Sequence, residues 1–149
     1  MEIFVRGARS SSQDWSAAQN VPVSELPSLD EKQKAEAKRG HVTEEAYARS
    51  LYAASLTQQK TLRRLLQFGR WLNTKIVERC PDGNIEAVCL DTLAGRLEIG
   101  ASADGEKIDF EIDEDLVDRL LTAGSEEAEK SIYRVLDIYF SQRQIAKAS

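Results

Sequence analysis

The sequence predicts an α+β fold in which a long N-terminal helical region packs on a three-stranded antiparallel meander, followed by two C-terminal helices. Two observations predict it. Apolar residues recur every three or four positions from Thr57 to Val77, which is the period of a helix with one buried face. Residues 96–101 and 107–112 instead alternate apolar and polar side chains, and residues 85–93 are mostly apolar; with glycine turns between them, these are patterns of strands with one buried face. That apolar sheet face needs a cover, and the apolar stripe of the long helix is the natural one.

The chain is predicted to divide at residue 29. Residues 1–29 form an extended or partly disordered N-terminal arm, and residues 30–145 form a single α+β domain. Met1–Arg6 has the composition of a short strand, whereas a serine run and two prolines interrupt any longer element in the arm. Its large apolar residues are widely spaced, as in an arm that places single anchors into grooves.

Two helices precede the strands. Asp30 is the predicted N-cap of a short helix, which Gly40 ends in the left-handed conformation. Thr43 caps the long helix, which begins near Glu44. The long helix ends at Cys80, because the proline that follows disfavours helical geometry there.

The strands and the C-terminal helices follow. The predicted strands are residues 85–93, 96–101 and 107–112, with Asp104-Gly105 in the second hairpin turn. Asp113 caps the next helix and Gly124 stops it. Ser125 caps the last helix, and the tail Ala146–Ser149 is expected to fray.

Composition indicates an ordinary globular chain. Its 149 residues are 42% hydrophobic and 30% charged, and no apolar run approaches the ~20 residues of a membrane span. The first residues lack the basic and apolar regions of a secretory signal. We therefore expect a cytoplasmic protein with no membrane partner.

The net charge of −5 conceals two halves of opposite sign. Residues 1–80 carry 13 Lys/Arg against 9 Asp/Glu, a balance of +4, and residues 81–149 carry a balance of −9. Such a division favours either an anionic partner for the basic half or complementary faces that meet each other.

The sequence predicts no enzyme and no catalytic, cofactor-binding or metal-binding residue. His41, the only histidine, follows a helix-ending glycine, and Cys80 and Cys89 are too few for a disulfide framework or a zinc site. The acidic run from Asp104 to Asp118 lacks the spacing of a calcium-binding loop and is interpreted as a solvated strand face and helix N-terminus. No phosphate-binding glycine motif occurs.

The long helix carries the candidate interaction surface. Basic side chains line its face away from the apolar stripe and two aromatic residues flank that face, and we call this set the helix surface: Lys60, Arg63, Arg64, Phe68, Arg70 and Trp71. Cations beside aromatic rings can bind nucleic acid through phosphate neutralisation and stacking. The chain is acidic overall, however, and its own acidic run could face these cations instead.

The order of elements resembles that of two groups of small proteins. The stretch GRLEIGASADGEKIDFEIDEDLV, residues 95–117, follows a long helix and has a rhythm similar to that of YbaB-type nucleoid-associated proteins. The layout is also similar to that of the acidic, dimeric type III secretion chaperones. Both resemblances concern layout over about half of the chain, so they imply no functional residues.

These observations favour a non-enzymatic protein–protein interaction module, such as an adaptor, a chaperone-like protein or a regulatory subunit. The alternative is a nucleic-acid-binding regulator that uses the basic face of the long helix. We also expect a homodimer with the long helix or the N-terminal arm in its interface, because large apolar residues exceed what one small sheet face needs: Trp15, Phe68, Trp71, Tyr139 and Phe140.

Overall fold

The structure is a computed structural model, which describes residues 1–7 and 9–141. The predicted domain end at residue 145 and the predicted fraying of Ala146–Ser149 lie outside the described residues.

The described residues form five α-helices and four strands. The helices are α1 (Ser12–Gln19), α2 (Glu31–Arg39), α3 (Glu44–Arg79), α4 (Glu114–Ala123) and α5 (Glu126–Leu136). The strands are β1 (Glu2–Arg6), β2 (Asn84–Asp91), β3 (Arg96–Ala103) and β4 (Glu106–Asp113). A 3₁₀ turn spans Val23–Glu25, and a π-helical turn, Asp137–Ser141, follows α5.

The α+β class and the long helix are confirmed, but the sheet has four strands rather than three. Its order is β1-β2-β3-β4, with β1 parallel to β2 and the other pairs antiparallel. A parallel pair needs a long crossover connection, and more than 75 residues separate Arg6 from Asn84. Local periodicity therefore identifies β1 as a possible strand but does not reveal its partner.

The chain forms two compact units, residues 8–61 and residues 1–7 with 62 onward. Within residues 8–61, buried alanines allow the helices to pack closely: Ala18, Ala37, Ala48 and Ala53. Arg49 in α3 donates hydrogen bonds of 2.8 Å to the carbonyl oxygens of Ala18 and Val21, and Tyr47 donates one of 2.7 Å to Glu36. These bonds fix α3 to the end of α1 and to α2.

The other unit contains the sheet and its helical cover. Leu65, Phe68, Leu72 and Ile76 of α3 are buried in one cluster with the inward side chains of the strands. The C-terminal helical segment completes the cluster with Ile132, Leu136 and Phe140. Leu97, Ile99, Ile108, Phe110 and Ile112 are all buried, so the predicted apolar face of the meander is confirmed.

The end of α2 differs from the prediction. Gly40 keeps a φ of −81°, and His41 takes the left-handed conformation with a φ of 57°. The backbone N–H of His41 donates to the Lys38 carbonyl and that of Val42 to the Ala37 carbonyl. This is the hydrogen-bond pattern of a Schellman motif in which His41, rather than Gly40, is the left-handed residue. The only histidine is thus a helix-terminating residue.

The remaining helix ends agree with the sequence, with one exception. Asp30 forms a full capping box with Gln33, Thr43 accepts from the Ala46 N–H at 3.0 Å, and Ser125 accepts from the Ala128 N–H. Gly124 ends α4 with a φ of 58°. Asp113 occupies the N-cap position of α4, but its side chain makes no capping hydrogen bond.

Gly83 is required where the turn after α3 approaches the core. A Cβ at this position would lie 2.6 Å from Ile76 Cγ2 and 2.9 Å from the Cys80 carbonyl oxygen. We predict that Gly83→Ala lowers the free energy of unfolding by about 1–3 kcal/mol through overpacking. Urea denaturation measures the loss. Gly40→Ala is the control, since a Cβ there would approach no atom closer than 3.5 Å; equal stability of the two variants would contradict the prediction.

Candidate functional site

The first cation of the helix surface, Lys60, is bound within residues 8–61. Lys60 Nζ lies 2.5 Å from Asp14 Oδ1, and Thr57 donates to Asp14 Oδ2 at 2.8 Å. Ser11, the N-cap of α1, donates its backbone N–H to Thr57 Oγ1 at 3.0 Å. Asp14 is 2% exposed, so these partners neutralise a buried carboxylate. They also lower its pKa, first through the hydrogen bond from Lys60, and outweigh the effect of burial.

Other cations of α3 are also paired within the chain. Arg64 forms an ion pair with Asp118 of the acidic run, and Arg79 Nε donates to Asp137 at 2.8 Å. Lys75 lies 3.5 Å from Glu78 and 5.7 Å from the ring centre of Tyr133. The contact between Arg64 and Asp118 is one in which the two oppositely charged halves of the chain meet.

The structure corrects the placement of Phe68. Its side chain is fully buried in the core beneath the sheet, so it cannot contact a partner. Phe68 lies three residues after Leu65 and four before Leu72, which extends the buried stripe of α3 to one side. Trp71 is half-buried and stacks on the rings of Phe68 and Tyr133, each at 5.9 Å between centroids.

Two cations of the helix surface thus remain exposed and outside the ion pairs of the described residues. Arg63 and Arg70 are exposed and, among the described residues, make no ion pair. They are seven residues apart, or two helical turns, so they share one side of α3. Two isolated guanidinium groups make a much smaller positive surface than the sequence indicates.

A second surface lies on the opposite face of the sheet from the core, and we call it the outer sheet face. Strand register aligns its side chains in three rows across the four strands. The charged row is Arg6, Asp91, Arg96 and Asp113; the middle row is Phe4, Cys89, Glu98 and Glu111; the small row is Glu2, Ala87, Gly100 and Asp109. The three rows together carry six carboxylates and two guanidinium groups, so the face is acidic.

A groove of about 1090 Å³ runs over this face. Its lining includes three small residues, which we call the floor, two aromatic rings and four charged side chains: Ala87, Cys89 and Gly100; Phe4 and Tyr139; and Arg6, Glu98, Asp109 and Glu111. Phe4 is 49% exposed and Tyr139 is 40% exposed, although Tyr139 stacks on Phe110 at 5.3 Å. The floor consists of small side chains and the two aromatic rings are available for contact, which are features of a binding surface.

Several charges of the face form weak, exposed ion pairs with one another. Arg6 lies 3.7 Å from Asp91 and 3.4 Å from Glu98, and Arg96 lies 3.4 Å from Glu111. The guanidinium groups are exposed, so each pair contributes at most about 1 kcal/mol and exchanges partners at little cost. The sequence alone does not mark this face as a site, because the polar positions of alternating strands are ordinarily solvated.

A small cluster of possible metal ligands lies beside the end of α3. The ligand atoms of Cys80, Asp82 and Asp104 are within 4.8 Å of one another. The buried Cys80 thiol donates to Asp82 at 2.9 Å, and the other Asp82 oxygen accepts from the Asp104 N–H at 3.1 Å. These bonds connect the turn after α3 to the β3–β4 turn, which accounts for the cluster as a structural contact.

Comparisons with known proteins do not assign a function to these surfaces. No protein-family model, no curated protein and no solved structure matches the chain. None of the helices in residues 1–7 and 9–141 has the length and hydropathy that crossing a membrane requires.

The Asp14 network predicts a pH-dependent contribution to stability. Because the pKa of folded Asp14 lies below its ordinary value of 3.8, the stabilisation is complete above that pH and is lost as the pH falls through the folded value. We predict that Asp14→Asn lowers the melting temperature at pH 7 and that the difference from the wild type shrinks by pH 2.5. Thermal circular dichroism at both pH values measures it.

Glu25→Gln is the control for this experiment, because Glu25 is exposed and its replacement removes the same charge. It should leave the melting temperature unchanged at both pH values. A difference between Asp14→Asn and the wild type that is as large at pH 2.5 as at pH 7 would contradict the assigned ion pair.

The burial of Phe68 predicts a large effect on folding. We expect Phe68→Ala to lower the free energy of unfolding by about 3–5 kcal/mol, since a fully buried ring is replaced by a cavity. Arg63→Ala on the exposed side of α3 should change it by less than about 0.5 kcal/mol. Urea denaturation compares the two variants. An effect of Phe68→Ala as small as that of Arg63→Ala would contradict the burial of the Phe68 side chain.

Proposed function

We propose that the chain is a non-enzymatic protein–protein interaction module that binds another protein through the outer sheet face. The observation that carries the proposal is the groove, whose lining combines a small-residue floor with two partly exposed aromatic rings, Phe4 and Tyr139. Aromatic side chains often supply much of the energy at protein interfaces, and a low floor lets a partner approach the sheet closely.

The charges of the face support a protein partner rather than a nucleic acid. Six carboxylates line the three rows against two guanidinium groups, and phosphates would be repelled by this field. A partner that fits brings cations opposite some of these carboxylates and a small or apolar side chain opposite part of the floor. A protein surface supplies both kinds of group.

The state of the helix surface also weakens the nucleic-acid alternative. Lys60 and Arg64 are held by Asp14 and Asp118, and Trp71 stacks on neighbouring rings. Arg63 and Arg70 alone would neutralise about two phosphates, which predicts weak binding with a shallow salt dependence.

Paired surface variants test the proposal. The purified full chain, immobilised, is exposed to an extract of its source organism. Ala87→Arg fills the groove floor, whereas Arg63→Glu with Arg70→Glu reverses the exposed cations of α3 and serves as the control. We predict that a protein retained by the wild type is retained equally by the control and is lost at least tenfold with Ala87→Arg, as measured by quantitative mass spectrometry.

Two results would overturn the proposal. One is retention that depends on Arg63 and Arg70 but not on Ala87. The other is binding of DNA or RNA by the wild type in a filter assay at about 50 mM salt, where phosphate contacts are strongest, that the helix control abolishes. Circular dichroism of each variant verifies that it is folded before the comparison.

A further inference from the structure

The charged row has a symmetry that points to a particular partner. Read from β1 to β4, the side chains of Arg6, Asp91, Arg96 and Asp113 alternate as positive, negative, positive and negative. A row of four alternating charges read in the reverse direction has the opposite sign at every position. Two such rows are therefore complementary when one is turned end for end over the other.

We propose that the outer sheet face binds the same face of a second copy of this chain, about a two-fold axis parallel to the strands. This inference rests on the proposed function and names its partner. Such an axis reverses strand order without shifting residues along the strands, so β1 lies over β4 of the second copy. Arg6 then faces the partner subunit's Asp113, and Asp91 faces the partner subunit's Arg96.

The small row makes close approach possible. The same axis places Ala87 opposite the partner subunit's Gly100, and symmetry repeats this contact. Neither residue projects far from the sheet, so the two sheets can reach the ~10 Å separation of packed β-sheets near the centre of the interface. Cys89 adds a third short side chain to the floor.

The area of the face is sufficient for a modest dimer. Four strands of up to eight residues make a face of about 20 Å by 25 Å at ordinary strand spacing and rise. Two such faces bury roughly 1,000 Å², the lower limit for a specific interface. We accordingly expect a dimer that forms at micromolar concentrations and weakens as salt screens the charged row.

The other two-fold arrangement of the same faces is disfavoured. An axis perpendicular to the strands through the middle row would put Glu98 and Glu111 each opposite its own copy. Like charges directly opposed destabilise a contact. In the favoured arrangement the one like-charge contact of the three rows is Glu2 with the partner subunit's Asp109. Both residues are exposed at the outer edges of the sheet, where solvent screens them.

Charge reversal at Arg6 and Asp113 tests the arrangement. Sedimentation equilibrium of the full chain at about 50 μM should give a dimer for the wild type. Arg6→Glu alone and Asp113→Lys alone each create two like-charge contacts and should raise the dissociation constant at least tenfold. Mixed in equal amounts, the two variants should form a heterodimer. The two reversed charges then face each other with opposite signs, and the unchanged Asp113 of one variant faces the unchanged Arg6 of the other.

Glu2→Lys provides a second measurement that does not alter a helix terminus. It converts the like-charge contact with the partner subunit's Asp109 into an attractive one and should lower the dissociation constant several-fold. A monomeric wild type, a mixture that stays monomeric or a Glu2→Lys variant that binds more weakly would each overturn the arrangement. If the wild type is monomeric while Ala87→Arg still abolishes retention of a different protein, the second-copy inference fails and the proposed function stands. If neither association is seen, both fail.

Discussion

The sheet depends on the packing of α3 against one of its two faces. Leu65, Phe68, Leu72 and Ile76 follow the helical period and are buried in one cluster with the inward side chains of the strands, so this helix covers part of the apolar sheet face. Val117, Ile132, Leu136 and Phe140 of the C-terminal helical segments are buried in the same cluster and extend the cover. Because all of this cover lies on one face, the positions that alternate with the core along each strand form the outer sheet face.

The same helix brings some charges of the two oppositely charged halves of the sequence together. Arg64 meets Asp118 of the acidic run and Arg79 meets Asp137, so cations of the basic half are neutralised by the acidic half. Lys60 meets the buried Asp14 within residues 8–61. Charge asymmetry between the halves of a chain indicates a charged binding partner only when the opposite charges are not paired within the fold. Here the fold pairs several of them.

Local patterns predict the helices and the meander well, since period and capping act over a few residues. Thr43, Ser125 and Asp30 form their predicted caps, and the inward residues of β3 and β4 are buried. The errors concern features that depend on distant contacts. The pairing of β1 with β2 joins residues more than 80 positions apart, and the burial of Phe68 depends on how wide a stripe of α3 the sheet covers. The outer sheet face was missed for the same reason, because its rows exist only once four strands are in register.

The addition of β1 changes what the outer sheet face can do. Without Arg6 the charged row would be Asp91, Arg96 and Asp113, which alternates as negative, positive and negative and reads the same in both directions. Turned end for end over a copy of itself, that row would oppose Asp91 to Asp113 and Arg96 to its own copy. A fourth strand that ends in an arginine makes the number of columns even and turns self-repulsion into self-complementarity. The short N-terminal strand therefore adds the half-buried Ile3 and Val5 to the core, and in the proposed arrangement its Arg6 decides which partner the face suits.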